Sequence, residues 1–184
     1  MRRTGDGPRA SPMTISMYAA SVPVLTRALG NLLAILDKAQ AHAAERRIDP
    51  AELLDARLSP DMLPLRRQVQ IAGDFAQGSA ARLAGVAVPE YDDAERDFDA
   101  LKARIDRTLA FIGGLDPLQI AGSEWRHVST RAGDELLRFK GLVYLMHYAL
   151  PNFFFHMTTA YAILRHAGVE LGKADFDGLH RYGR

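Results

Sequence analysis

From Gly141 to Leu164 the chain carries no Lys, Arg, Asp or Glu, and this constrains its fold more than any other feature. A helical stretch of that length and composition either crosses a bilayer or is shielded by protein. Pro151, Asn152, His147, His156 and the pair Thr158 and Thr159 lie inside it, and the sequence has no second run of the kind. The expectation is therefore a central helix buried by its own protein or by a second subunit, with no membrane span. A bend is expected near Pro151, and Gly168 is placed to end the helix.

The remaining helices follow from apolar spacing. Leu25, Leu29, Leu32, Leu36 and Ala39 recur every three or four residues, which places a long helix over about Ser21 to Arg46 with Pro23 in its first turn. Asp49 and Pro50 read as N-cap and first residue of a short helix through AELLDARL. Ser59, Pro60 and Pro64 mark the next start. Leu65, Val69, Ala72, Ala76 and Leu83 form its stripe and Gly85 its stop, while Gly73 and Gly78 would let a neighbouring helix come close. VAVPEYDD reads as a loop, and Asp92 with Glu95 matches a capping box opening a third long helix buried through Phe98, Leu101, Ile105, Leu109 and Ile112. Gly113 and Gly114 stop it, and Asp116 and Pro117 turn the chain. WRHVST and ELLRF flank Ala132, Gly133 and Asp134, the pattern of a β-hairpin laid against the bundle. The fold class expected is all-α: a four-helix bundle with a short extra helix and a small hairpin before the last helix.

On the last helix Asn152, His156, Thr159 and Ile163 share one face, beside an apolar face of Phe153, Met157, Ala160 and Leu164. A buried imidazole left without partners loses about 1 to 3 kcal/mol, so His156 needs a partner, a water or a metal. Asn152, one turn earlier, is one candidate partner. Gln68, on the side of its helix shared with Leu65, Ile71, Ala72 and Phe75, is the other. The candidate pocket comprises Gln68, Asn152, His156, Thr159, Tyr144 and His147, with packing the favoured reading of His147 and core the favoured reading of Trp125, Tyr144 and Tyr148. His166 suits the negative end of its helix; His42 and His180 are expected at the surface, and His127 in the hairpin. Phe154, Tyr161 and Arg165 fall on the far side of the helix, where an apolar Phe154 implies a subunit contact. DDAERDFD and AERR read as solvated helix faces.

Composition excludes several functions. Twenty-three basic against twenty-two acidic side chains leave a formal charge of +1, so no global field recruits nucleic acid. The absence of cysteine removes disulfides, thiolate catalysis and cysteine metal sites, and is compatible with the cytoplasm. MRRTGDGPRASP has no apolar core after its arginines and reads as a disordered arm over residues 1–12, with a single domain over 13–184. No phosphate loop, nucleophile elbow or HExxH motif occurs.

The segments MTISMYAASVPVLTRALGNLLAILDKA, DMLPLRRQVQIAGDFA and LPNFFFHMTTAYAILRHAGVELGKADF together resemble the DUF1993 family, a branch of the DinB/YfiT-like superfamily, over about Met13 to Asp177. The resemblance implies a four-helix bundle, often dimeric, in a superfamily whose better-known members hold a divalent metal through three histidines, some acting as thiol-dependent transferases. Counting back from Gly168 and Val169 puts one ligand position at His156 and another at Asn152. The third falls near Gln68, with Arg67 as the other possibility. A neutral amide holds zinc or nickel far less well than an imidazole, which leaves His156 as the one aligned ligand. The expectation is a cytoplasmic homodimer with no cofactor, whose degenerate, metal-free polar pocket binds a small molecule or serves as an interaction module. The alternative is a metal- or thiol-dependent transferase using His156.

Overall fold

Residues 14–180 are described by a computed structural model; the N-terminal arm expected over residues 1–12 and a domain start at Met13 lie outside the described residues. Helix α1 runs from Met17 to Arg46, capped by the Ser16 hydroxyl on the Ala19 amide at 3.1 Å. It therefore begins a turn earlier than its apolar spacing indicated, and Pro23 sits inside it. Pro23 is exposed, on the side where a helix can open toward solvent to accommodate the ring. Asp49 caps the short α2, Pro50–Asp55, as expected. Helix α3, Leu65–Ala84, closes at Gly85 with φ 75°, and α4, Phe98–Gly113, ends at Gly114. Asp116 and Pro117 open one further turn, α5, Pro117–Ile120.

Strands β1, His127–Ala132, and β2, Glu135–Lys140, pair antiparallel from His127 opposite Lys140 to Ala132 opposite Glu135. Their two-residue turn uses Gly133 at φ 60°, the left-handed geometry such hairpins require. Arg126, just before β1, donates to the Leu83 carbonyl and so finishes the C-terminal end of α3 while docking the hairpin. The chain then runs through α6, Gly141–Val143, a π-helical stretch Tyr144–Ala149, α7, Leu150–His166, and a short α8, Lys173–Asp177. The expected break at Pro151 takes the form of that widened turn: the Leu150 amide reaches back to the Leu145 carbonyl, five residues away, which relieves the conflict between the proline ring and the carbonyl four residues before it.

The four long helices α1, α3, α4 and α7 form the bundle. α3 packs chiefly on α7 and α4, and α4 also packs on α1. Leu29, Leu32 and Leu36 of α1, Val69 and Ala76 of α3, Leu101 and Ile105 of α4 and Phe153, Met157 and Leu164 of α7 meet in one core. Among the described residues α1 alone is long and apolar enough to cross a membrane, and its leucines are spent on that core. Gly73 and Gly78 do not mark a close helix approach: a methyl on Gly73 would only touch Thr108 at 3.8 Å, and one on Gly78 would meet the flexible Arg82 side chain. The close approach is at Gly141, where a methyl would strike the Ser123 carbonyl oxygen. Because the obstacle is backbone, Gly141→Ala is expected to lower stability by about 1 to 3 kcal/mol or more in urea denaturation.

The capping box expected at Asp92 and Glu95 does not form. Asp97 is the N-cap of α4, its carboxylate accepting from the Ala100 amide at 2.7 Å. Glu95 is buried instead, accepting from Gln70 at 2.7 Å and paired with Arg104 at 3.1 Å. DDAERDFD is thus mostly a clamped loop rather than a solvated helix face.

Candidate functional site

Gln68, in the first turns of α3, is 2% exposed. Its side chain folds back so that Nε2 donates to the Leu63 carbonyl at 3.0 Å, and its Oε1 lies 2.7 Å from Nδ1 of His156 on α7. A backbone carbonyl only accepts, so Nε2 must face Leu63 and Oε1 must face the imidazole. Nδ1 of His156 is therefore the protonated nitrogen, donating to Gln68, and Nε2 carries a lone pair. Among the described residues Nε2 has no hydrogen-bond partner. The ring stacks on Phe75 at 5.9 Å and 19° and meets the edge of Phe155 at 5.2 Å and 87°. Phe75 continues into Tyr148, which meets Phe139 at a tilt and stacks on Tyr144. The imidazole thus stands at one end of an aromatic row running from α7 to β2.

Burial holds His156 below its ordinary pKa of 6.5, because desolvation disfavours the imidazolium. In the unfolded chain the ring takes up its proton first, so this group's contribution to stability is complete above pH 6.5 and is lost as pH falls from there through the depressed folded value. The difference in urea stability between the wild type and His156→Leu is expected to shrink from about pH 7.5 to about pH 5.

The other expected pocket residues separate. Asn152 is not the partner of His156: its Nδ2 donates to the Tyr148 carbonyl at 2.7 Å, which uses the amide within the widened turn before Pro151. Thr159 is buried and returns its hydroxyl to the Phe155 carbonyl at 2.7 Å. Tyr144 is core, its hydroxyl accepting from Arg82 at 3.4 Å and its pKa raised above 10 by burial. His147 is exposed; nine residues before His156, it is out of line with that residue even on a regular helix. Trp125 is 77% exposed rather than core, and Phe154 is half-buried against Phe153 while Phe155 is the phenylalanine that projects, 57% exposed.

These donors do not fit a metal centre of the three-histidine kind. The three positions supply one imidazole and two amides, and the amides are engaged with Leu63, His156 and Tyr148. Among the described residues no three His, Asp or Glu side chains are gathered to complete one.

A second polar cluster was not anticipated. Arg104 of α4 is 1% exposed and is the largest fully buried side chain among the described residues. It pairs with Asp74 of α3 at 2.6 Å, with Asp93 at 3.2 Å and with Glu95 at 3.1 Å, and donates to the Asp92 carbonyl at 3.0 Å. Burial raises the Asp74 pKa despite that partner. The signal was in the spacing, since Arg104 and Thr108 fall among Leu101, Ile105 and Ile112 on the stripe that α4 buries.

The sequence profile of a domain of unknown function, DUF1993, matches residues 17–177. No curated protein matches. A crystal structure of a DinB family member protein from Shewanella denitrificans is similar at 38% identity, covering 91% of this chain and 94% of that one, with a TM-score of 0.82.

Proposed function

The chain belongs to the DUF1993 family and has the DinB-like bundle fold, and from that premise we propose that Gln68 and His156 form a metal-free recognition point for a small polar molecule. The observation that carries this reading is the chain of hydrogen bonds from the Leu63 carbonyl through Gln68 to His156. It fixes the tautomer that leaves Nε2 as the acceptor, while burial keeps the ring neutral, and the ring lies against Phe75 and Phe155. Such a nitrogen accepts from an N–H or O–H of a ligand whose flat body lies against the aromatic rings. The cysteine-free chain would do this in the cytoplasm.

The test pairs metal with ligand. Protein dialysed against zinc or nickel is expected to retain no stoichiometric ion, while a fragment screen read by NMR is expected to find molecules that shift the His156 ring signals. Binding of those molecules, read from their own ligand signals, should be lost in His156→Leu and weakened in Gln68→Leu. One retained ion per chain, lost in His156→Leu, would overturn the reading.

A second reading rests on the same lone pair. An imidazole with a depressed pKa and a fixed tautomer is equipped to act as a general base in a transferase-type reaction. It requires that His156→Ala lose turnover while keeping its fold.

We also propose that the chain forms a homodimer through the outer face of the last helical run. Leu142, Val143 and Met146, and further along Phe155, are exposed on it, with Leu58 beside Phe155; exposed apolar side chains of this kind are what subunits cover. Phe155→Glu with Met146→Glu is expected to shift the sedimentation coefficient from dimer to monomer. An unchanged dimer would place the contact elsewhere.

A further inference from the structure

On the face of α3 opposite Gln68, the loop 86–97 lies across α3 and α4 as a strap. Gln77 donates to the Pro89 carbonyl at 2.8 Å, and Tyr91 lies between Arg104 and Arg107, 5.3 and 4.9 Å from their guanidinium carbons. The one buried residue of the strap is a charge, Glu95. Its carboxylate stands between Arg104 at 3.1 Å and Arg107 at 3.7 Å, and it also accepts from Gln70. The Asp93 carboxylate stands between Arg67 and Arg104. Three arginines from two rigid helices therefore converge on two carboxylates carried by a loop.

Planar guanidiniums in such a fork are matched to bidentate oxyanions, whether carboxylate or phosphate. Lifting the strap would leave Arg67, Arg104 and Arg107 facing one remaining carboxylate, Asp74. Arg104 Nε would also remain without a partner, as it is among the described residues in the closed form. Clefts border Glu95 on both sides: one is lined by Arg66, Arg67, Arg96 and Asp93, the other by Tyr91, Arg107, Glu90 and Asp92.

We propose that Asp93 and Glu95 act as an internal ligand occupying a three-arginine anion site, and that a small molecule bearing a carboxylate or phosphate competes with them and displaces the strap. The closed strap then masks the anion site. Residues 86–97 open as a unit while the bundle stays folded.

The test uses the full chain with inorganic phosphate and malonate as separate probes, each against sodium chloride at equal ionic strength. In the wild type, either competing anion is expected to accelerate amide exchange over 86–97 and leave α1 and α7 unchanged. In the Asp93→Asn, Glu95→Gln double variant, calorimetry is expected to show the same anion binding about tenfold or more tightly than in the wild type. Adding Arg67→Ala and Arg107→Ala to that background should abolish binding. Binding of phosphate alone or of malonate alone supports the proposal and identifies the anion. Failure of both to bind the double variant, or equal binding to variant and wild type, would overturn it. If the double variant does not fold, the wild-type exchange experiment decides, and a strap insensitive to both anions refutes the idea.

Discussion

Arg104→Met is expected to destabilise the protein by about 3 to 5 kcal/mol, the cost of breaking a buried ion pair by removing one partner. The substitution keeps the aliphatic stem but takes from Glu95, which is 8% exposed, its nearest guanidinium, leaving Gln70 and the more distant Arg107, and leaves Asp74 without the guanidinium 2.6 Å away. Urea denaturation with an unchanged m-value measures the loss. Glu95→Gln should cost less, because the amide can still accept from Gln70 or Arg104. Asp93→Asn should cost little, since Asp93 is exposed and exposed pairs contribute about 0 to 1 kcal/mol. A combined Arg104→Met, Glu95→Leu variant should recover part of the loss by removing the stranded charge as well. If Arg104→Met costs no more than Asp93→Asn, the cluster contributes nothing beyond surface pairing.

The same cluster marks where sequence reading stopped. Apolar spacing and glycine stops located the long helices and the hairpin, because these depend on local periodicity and on residues such as Gly85 and Gly133 whose backbone angles no other residue adopts cheaply. The capping box at Asp92 failed for a non-local reason. Glu95 is drawn inward by an arginine nine positions later and a glutamine on another helix, and no local rule contains that pairing.

The candidate site divides along the same line. That Gln68 and His156 meet followed from which face each occupies. That Asn152 turns away follows from the Tyr148 carbonyl in the π-helical turn before Pro151, to which its amide donates. A proline announces a break, but whether the helix kinks or widens depends on what packs around it, here Phe139 and the hairpin against Tyr144 and Tyr148.

Phe153→Ala is the second substitution of large expected effect, at about 3 to 5 kcal/mol. Phe153 is fully buried at the start of α7, on the face that continues through Met157, Ala160 and Leu164. Truncating it leaves a cavity that the surrounding helices fill only in part. The consequence extends to the site, because this packing sets the height of α7 on α3 and so the 2.7 Å spacing of His156 and Gln68. If α7 relaxes into the cavity, that hydrogen bond loosens and the ring gains solvent. The depressed pKa of His156 should then move back up toward 6.5, which NMR titration of the ring protons would register. Leu118→Ala is the control: its side chain is 79% exposed and belongs to neither the site nor the proposed subunit contact, so its stability cost should stay within about 0.5 kcal/mol. A variant at Phe153 that loses stability with no change in the His156 titration would uncouple the core from the site. The tautomer would then depend on Gln68 and Leu63 alone.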